Sequence, residues 1–319
     1  MDKNKILELY YKMVLVRKLE EALIKLHKQG KVKGPIHTCD GQEAVGIGVC
    51  SVLQEGDTIT STHRGHTHYV GMGMDLNLLL AEIMGKANGL GKGRGGHMLI
   101  ADRKHGILGG SGIVGGGIPI ATGQALAHKR LNTGGISVSF FGDGASNEGS
   151  FHESLNISSL WKLPVVYVLE NNQYGLTTAI SRHMAHLNIV DRALGYGMPG
   201  VEVDGNDLQA MVKVSEVAVN RARSGEGPTL VVAQTYRRRG FSTTDIGGYQ
   251  PPEEVDKWPD PLEVTESQLY SMGVRAEDIE AMNTKALNEV EAAVAFGLES
   301  PYPDPAELAD WINEFEVIK

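Results

Sequence analysis

Two short apolar runs, residues 136–141 and 165–169, each lead into a polar tripeptide: Gly142-Asp143-Gly144 after the first and Glu170-Asn171-Asn172 after the second. The 29 residues from Asp143 to Asn172 fit one strand–helix–strand crossover, whose minimum is about 30 residues, with a helix expected over 150–161. A right-handed crossover brings both strand ends to the same edge of a sheet, on neighbouring strands about 4.8 Å apart. Asp143 and Asn172 can then aim oxygens at one point beyond the carboxyl ends, where open α/β sheets bind ligands. Either tripeptide alone reads as ordinary turn chemistry. The pair at this spacing points to a site.

Further apolar runs at 58–61, 201–203 and 229–233 alternate with helical patterns of ten or more residues. Such alternation with unbroken apolar strands predicts an α/β fold, a parallel sheet buried on both faces and flanked by helices. Ile6, Leu9, Tyr10, Met13, Val16, Leu19, Leu23 and Leu26 recur at helical spacing and predict a long amphipathic first helix ending at Gly30. A second helix is expected over 42–53. No linker splits the chain, so one domain is expected over 1–319: a helical part to 57, a parallel α/β core over 58–235, a loop over 236–252 and a helical part from 253. The C-terminal helices are expected over 265–298 and 305–314. A polar loop as long as RRRGFSTTDIGGYQPP is usually functional or disordered.

Forty glycines include a dense cluster at 85–117, which signals backbone approaching a ligand or other backbone closely. The GxG clusters at 91–95 fit no strand-to-helix turn and no GK[ST] follows, which excludes a nucleotide fingerprint. A net charge of −9 argues against nucleic acid or anionic membrane as the main partner. Cys39 and Cys50 form no disulfide framework, so a reducing cytoplasm is the expectation. No apolar stretch approaches a membrane span, and no signal or transit segment is expected.

An aspartate and an asparagine at adjacent strand ends suit magnesium, which takes octahedral oxygen and is shared between one or two protein groups and a phosphate. Flanking glycines admit a diphosphate, and the helix that follows offers N-terminal amides.

The pairing of GDG with NN resembles the thiamine-diphosphate motif. STHRGHTH at 61–68, GSGIVGGGIPIATGQAL at 110–126, GDGASNEGSFHESLN at 142–156 and KLPVVYVLENNQYG at 162–175 resemble the α subunit of the 2-oxo acid dehydrogenase family, and within it the acetoin dehydrogenase α subunits. The resemblance spans nearly the whole chain. It implies a fold that binds thiamine diphosphate, with Mg²⁺ held by Asp143, the Asn172 side chain and the Tyr174 carbonyl. It also implies that His63, Arg64, Gly144, Ala145 and Arg237 meet the diphosphate, and that backbone groups of Gly112 and Val114 meet the aminopyrimidine. His37 and His66 match family histidines and are the candidate acid–base groups. The small residues over 115–127 imply helix packing at a subunit interface. The glutamate that activates the aminopyrimidine comes from the β subunit in two-gene members, which implies an α2β2 assembly, with a lipoyl-bearing acyltransferase as acceptor.

Two departures stand out. Phe241 and Leu99 occupy positions where the family's oxidative members usually carry histidine, and His97 stands where that pattern has a small residue. His97 and His105 are the candidates to compensate. The leading expectation is an acyl-transferring dehydrogenase subunit. A non-oxidative lyase, ligase or transketolase-like subunit keeps the cofactor and changes the acceptor, and a non-catalytic partner subunit is the third reading.

Overall fold

The computed structural model describes residues 1–307. Eight strands occur among them: β1 Thr58–Thr60, β2 Ile107–Gly109, β3 Ser137–Gly142, β4 Val165–Asn171, β5 Tyr174–Gly175, β6 Thr178–Ala179, β7 Gly200–Asp204 and β8 Thr229–Gln234. β5 and β6 pair with each other; the other six form one parallel sheet in the order β2-β1-β3-β4-β8-β7. The helices are α1 Lys3–Lys28, α2 Glu43–Cys50, α3 His66–Gly71, α4 Leu76–Ile83, α5 Gly117–Leu131, α6 Gly149–Leu160, α7 Ile180–His183, α8 Leu208–Arg223, α9 Pro252–Val255, α10 Pro261–Ser271 and α11 Ala276–Glu299.

β4 is buried along its whole length and β3 as far as Phe141, because each face is covered. Val138, Phe140, Val166, Val168, Val231 and Ala233 face a core built with α1, α2 and α8. Their sequence neighbours Phe141, Val165, Tyr167, Leu169, Leu230 and Val232 face α5 and α6, as the two-residue period of a strand requires.

Where structure and expectation differ, the causes are local. β2 is three residues long and sits among glycines, too short to leave an apolar pattern. α2 stops at Cys50, where the Ser51 hydroxyl donates to the Gly48 carbonyl at 2.7 Å. The single helix expected over 265–298 is two, because Gly273 adopts φ +78° between α10 and α11. Most of the expected 305–314 helix lies outside the described residues.

The chain leaves β1 for β2 on one side and returns to β3 on the other, so strand order reverses between β1 and β3. That reversal opens a crevice at the carboxyl ends of the strands, and the site occupies it.

The glycine cluster has a specific cause at its first half. Glu82, at the end of α4 and 1% exposed, accepts from the backbone N–H groups of Gly91, Gly93 and Gly95 at 2.7, 2.9 and 2.6 Å. The loop wraps one carboxylate so tightly that a Cβ on Gly93, at φ +77°, would lie 2.3 Å from the Gly85 carbonyl carbon. Hydrogen bonds to a charged acceptor contribute about 1.5–3 kcal/mol each. Glu82→Ala should therefore cost about 3–5 kcal/mol in urea unfolding, with Glu82→Gln between the two. A cost within about 0.5 kcal/mol of zero would show that the loop holds its shape without the carboxylate.

Candidate active site

Loops leaving the carboxyl ends of β1, β2, β3, β4 and β8 enclose a cavity of about 280 Å³. Residues 61–64 enter from β1, 111–115 from β2, 142–145 from β3, Asn172 and Tyr174 from β4, and Arg237 and Phe241 from β8. Of the residues expected at the site, His37, His63, Arg64, Gly112, Val114, Asp143, Gly144, Ala145, Asn172, Tyr174 and Arg237 all line this one cavity. The loops at 61–64 and at Arg237 are brought together by the parallel register, since each follows a strand that runs the same way; His37 reaches the wall from the segment between α1 and α2.

Two guanidinium groups dominate the electrostatics. Arg64 is 5% and Arg237 2% exposed, and neither is in direct contact with a carboxylate among the described residues. Arg64 donates to the carbonyls of Thr38 at 2.9 Å and Phe241 at 2.7 Å. Arg237 donates to the Leu176 carbonyl and the Tyr249 hydroxyl, both at 2.7 Å, and its Nε has no hydrogen-bond partner among the described residues. Burial and the charge of Arg237 pull Arg64 down to about 9, and burial lowers Arg237 as well. Two like charges buried side by side with no carboxylate in direct contact are costly, even with Asp143 and Asp245 near Arg237 and Glu20 near Arg64. The cavity is built to receive an anion, and the planar guanidinium fork matches phosphate oxygens. His63 adds a buried Nε2 with no partner; burial and Arg64 push its ring down to about 2, so it is neutral.

Asp143 and Asn172 line the same cavity, and the Arg237 backbone N–H donates to the Asn172 carbonyl at 3.3 Å. Gly142 pairs with Glu170 across β3 and β4, so the two residues leave adjacent strands at neighbouring levels, as their spacing predicted. Asp143 is 1% exposed and has His183 Nε2 at 3.1 Å from Oδ2. The Asn172 amide is held at both ends: Nδ2 donates to Gln42 Oε1 at 3.1 Å, and Oδ1 accepts from the Tyr174 N–H at 3.3 Å. No cluster of three His, Cys, Asp or Glu side chains suited to a metal occurs among the described residues. The hard side-chain oxygens these two residues supply are one carboxylate and one amide. His183 is a residue the sequence reading missed, since nothing in the spacing of α7 ties it to Asp143.

The histidines sort by depth. His37 lines the cavity with His97 behind it, Nδ1 to Nε2 at 2.9 Å. The backbone N–H of His37 also donates to His97 Nε2, at 3.2 Å, so that nitrogen carries no proton and His37 Nδ1 must be the donor. His37 is thereby fixed as the Nδ1–H tautomer, and Nε2 is left as its basic nitrogen. Burial, Arg64, His66 and Arg237 hold the His37 ring down to about 4; burial and the neighbouring histidines hold His97 down to about 2. Both are neutral at pH 7.

His66 does not line the cavity. It is fully buried, Nδ1 meets Glu20 Oε1 of α1 at 2.9 Å, and its ring centroid is 6.0 Å from that of His97. His105 is bound to Asp102 at 2.6 Å, away from the cavity. Leu99 is 57% exposed and is not part of the wall. Phe241 is: its ring meets His37 edge-on at 4.8 Å and lies under the Arg64 guanidinium at 5.3 Å. The loop that carries it is knotted by Tyr249, whose hydroxyl donates to Asp245 Oδ2 at 2.5 Å while accepting from Arg237 and from the Phe241 N–H.

A family model described as the dehydrogenase E1 component matches residues 11–306. The subunit alpha of acetoin:2,6-dichlorophenolindophenol oxidoreductase from Bacillus subtilis is 44% identical over 310 residues, 97% of this chain and 93% of that one. Its counterpart from Cupriavidus necator is 38% identical over 312 residues, 97% and 94% of the two chains. The pyruvate dehydrogenase E1 component subunit alpha of Zymomonas mobilis is 37% identical over 311 residues, 96% and 88% of the two chains. With the parallel sheet, the crevice at its reversal and a match over nearly the full length, the chain belongs to the dehydrogenase E1 component family.

Proposed function

We propose that this chain is the α subunit of a thiamine-diphosphate- and magnesium-dependent oxidoreductase that cleaves a C–C bond beside a carbonyl, in acetoin or a 2-oxo acid, and passes on the acyl unit. The observation that carries the reading is a pair of buried arginines with no ion-paired carboxylate among the described residues, lining one cavity with Asp143 and Asn172. A diphosphate bridged to a divalent cation answers both halves of that arrangement.

In this reading Asp143, the Asn172 side chain and the Tyr174 carbonyl hold Mg²⁺. Arg64, Arg237 and His63 take the diphosphate oxygens, and Gly144 and Ala145 let the backbone approach. Gly112 and Val114 present main-chain groups to the aminopyrimidine. When bound, thiamine diphosphate supplies the nucleophilic carbon and the electron sink for bond cleavage. His37 Nε2 is the base on the wall, Phe241 excludes water beside it, and His66 with Glu20 backs the histidine layer.

The site also needs a partner. Asp143 is the only carboxylate among the described lining residues, and it faces the metal, which leaves the aminopyrimidine without an acid. Ile113, 76% exposed, and Val114, 56% exposed, stand open at the mouth. A β subunit that brings a glutamate and covers this rim, in an α2β2 assembly, completes the site. Two buried free cysteines suit a reducing cytoplasm, and no helix among the described residues is long and apolar enough to cross a membrane. A lipoyl-bearing acyltransferase is the acceptor the oxidative reading implies, and one that this site, without an acid at its mouth, should serve slowly.

The test is reconstitution with the β subunit. Calorimetry should show thiamine diphosphate binding that needs Mg²⁺, and acetoin or a 2-oxo acid should reduce dichlorophenolindophenol. The chain alone should show no turnover. Turnover by the isolated chain would overturn the shared-site argument, and cofactor binding indifferent to Mg²⁺ would overturn the metal assignment.

A further inference from the structure

His183, at the end of α7, is bound to Asp143 through a chain whose hydrogen positions can be derived. Arg192 Nη2 donates to Asn147 Oδ1 at 2.9 Å. A guanidinium has only donors, so this contact fixes which end of the Asn147 amide is oxygen. The other end, Nδ2, lies 3.1 Å from His183 Nδ1 and 3.2 Å from the His183 carbonyl, and it donates to both. His183 Nδ1 therefore carries no proton, and the ring of a neutral histidine holds its proton on Nε2. That nitrogen lies 3.1 Å from Asp143 Oδ2 and donates to it. Arg192 is itself tied down, donating to the Ser146 carbonyl and, at 3.2 Å, to the Ser146 hydroxyl.

The placement is as specific as the bonding. His183 Nε2 lies 3.6 Å from where a Cβ on Gly175 would stand, and that same Cβ would lie 3.6 Å from the Gly144 Cα. The imidazole thus packs over the two glycines beside the proposed metal oxygens. Asp143 has one carboxylate oxygen engaged and the other free of protein donors among the described residues.

We propose that His183 is a positioning residue for the metal: it holds Asp143 Oδ2 so that Oδ1 is presented to Mg²⁺, with its tautomer set by Asn147 and Arg192. This rests on the reading of Asp143 as a magnesium ligand. Outer hydrogen-bond partners of metal ligands are typically worth 10–100-fold in metal affinity.

The test uses the reconstituted complex with the β subunit. Thiamine diphosphate binding is followed by calorimetry across a Mg²⁺ series, and thermal unfolding is measured alongside. His183→Ala should raise the Mg²⁺ needed for half-saturation by about 10–100-fold without lowering the unfolding midpoint. His183→Gln, which returns an N–H donor near the Nε2 position, should recover most of the loss. An unchanged Mg²⁺ requirement in His183→Ala overturns the proposal. So does directly coordinated histidine nitrogen in the electron spin echo spectrum of the Mn²⁺-substituted complex, since His183 would then be a ligand. Asp143→Asn separates the two levels: if it loses Mg²⁺ dependence while His183→Ala keeps it, only the positioning role falls. If Asp143→Asn is also unaffected, the metal reading itself falls.

Discussion

Asp143→Ala should weaken magnesium-dependent thiamine diphosphate binding to the reconstituted complex by more than about 100-fold, beyond the range of an outer partner, and leave the fold intact. Among the described residues the Asp143 side chain has a single hydrogen-bond partner, His183, so its loss leaves no orphaned backbone group. What it removes is the only carboxylate among the described lining residues, the proposed Mg²⁺ ligand, and Mg²⁺ depends on few, well-placed protein oxygens. Asn172→Ala should behave differently. It deletes an oxygen from the same site, and it also strands Gln42 Oε1 and the Tyr174 N–H. Each buried polar group left unpaired costs about 1–3 kcal/mol, so this variant should lose stability as well as affinity. Calorimetric titration with thiamine diphosphate at fixed Mg²⁺, paired with urea unfolding, reads both effects. Unchanged cofactor affinity in both variants would remove the magnesium assignment.

The part of the fold that holds these two residues was legible in the sequence because parallel strands buried on both faces read as unbroken apolar runs. The 58–61, 136–141, 165–169, 201–203 and 229–233 runs all became strands of one sheet. The reversal of strand order between β1 and β3 was not legible, because β2 is three residues long and carries no pattern. Yet that reversal is why the 61–64 and 142–145 loops share a cavity. The lining residues were read from local text, and local text places a residue along the chain without giving its depth. His66 shows the limit. It sits two residues after Arg64, but α3 begins at His66 and turns its side chain toward Glu20 of α1, away from the cavity. Glu82 and His183 left no signal either: each acts on a segment that only the tertiary fold brings to it.

The reconstituted complex should reduce dichlorophenolindophenol well and acylate a lipoyl domain poorly. Acyl transfer to a dithiolane needs a proton delivered at the cavity mouth, and an imidazole beside the cofactor is the usual means. Leu99 stands exposed outside the wall and cannot serve. Phe241 stands in the wall and has no proton to give. His97 does not fill the gap directly, because its Nε2 already accepts from His37 twice. Of the two histidines on the wall, His37 is held down to about 4 and His63 to about 2, chiefly by burial with Arg64 adding to it, so near pH 7 each is a base and no acid. Positioned acid–base groups are typically worth about 10²–10⁴-fold in rate, or roughly 3–5 kcal/mol of barrier. Lipoyl acylation should therefore lag dye reduction by about that factor. Phe241→His puts an imidazole where the Phe241 ring now sits edge-on to His37 at 4.8 Å, and should raise acylation by at least about tenfold while changing dye reduction little. Both rates are measured on the same preparation, with stopped-flow dye bleaching and mass spectrometry of the lipoyl domain. Equal rates in the wild-type complex would mean that another group supplies the proton, with the β subunit the first place to look.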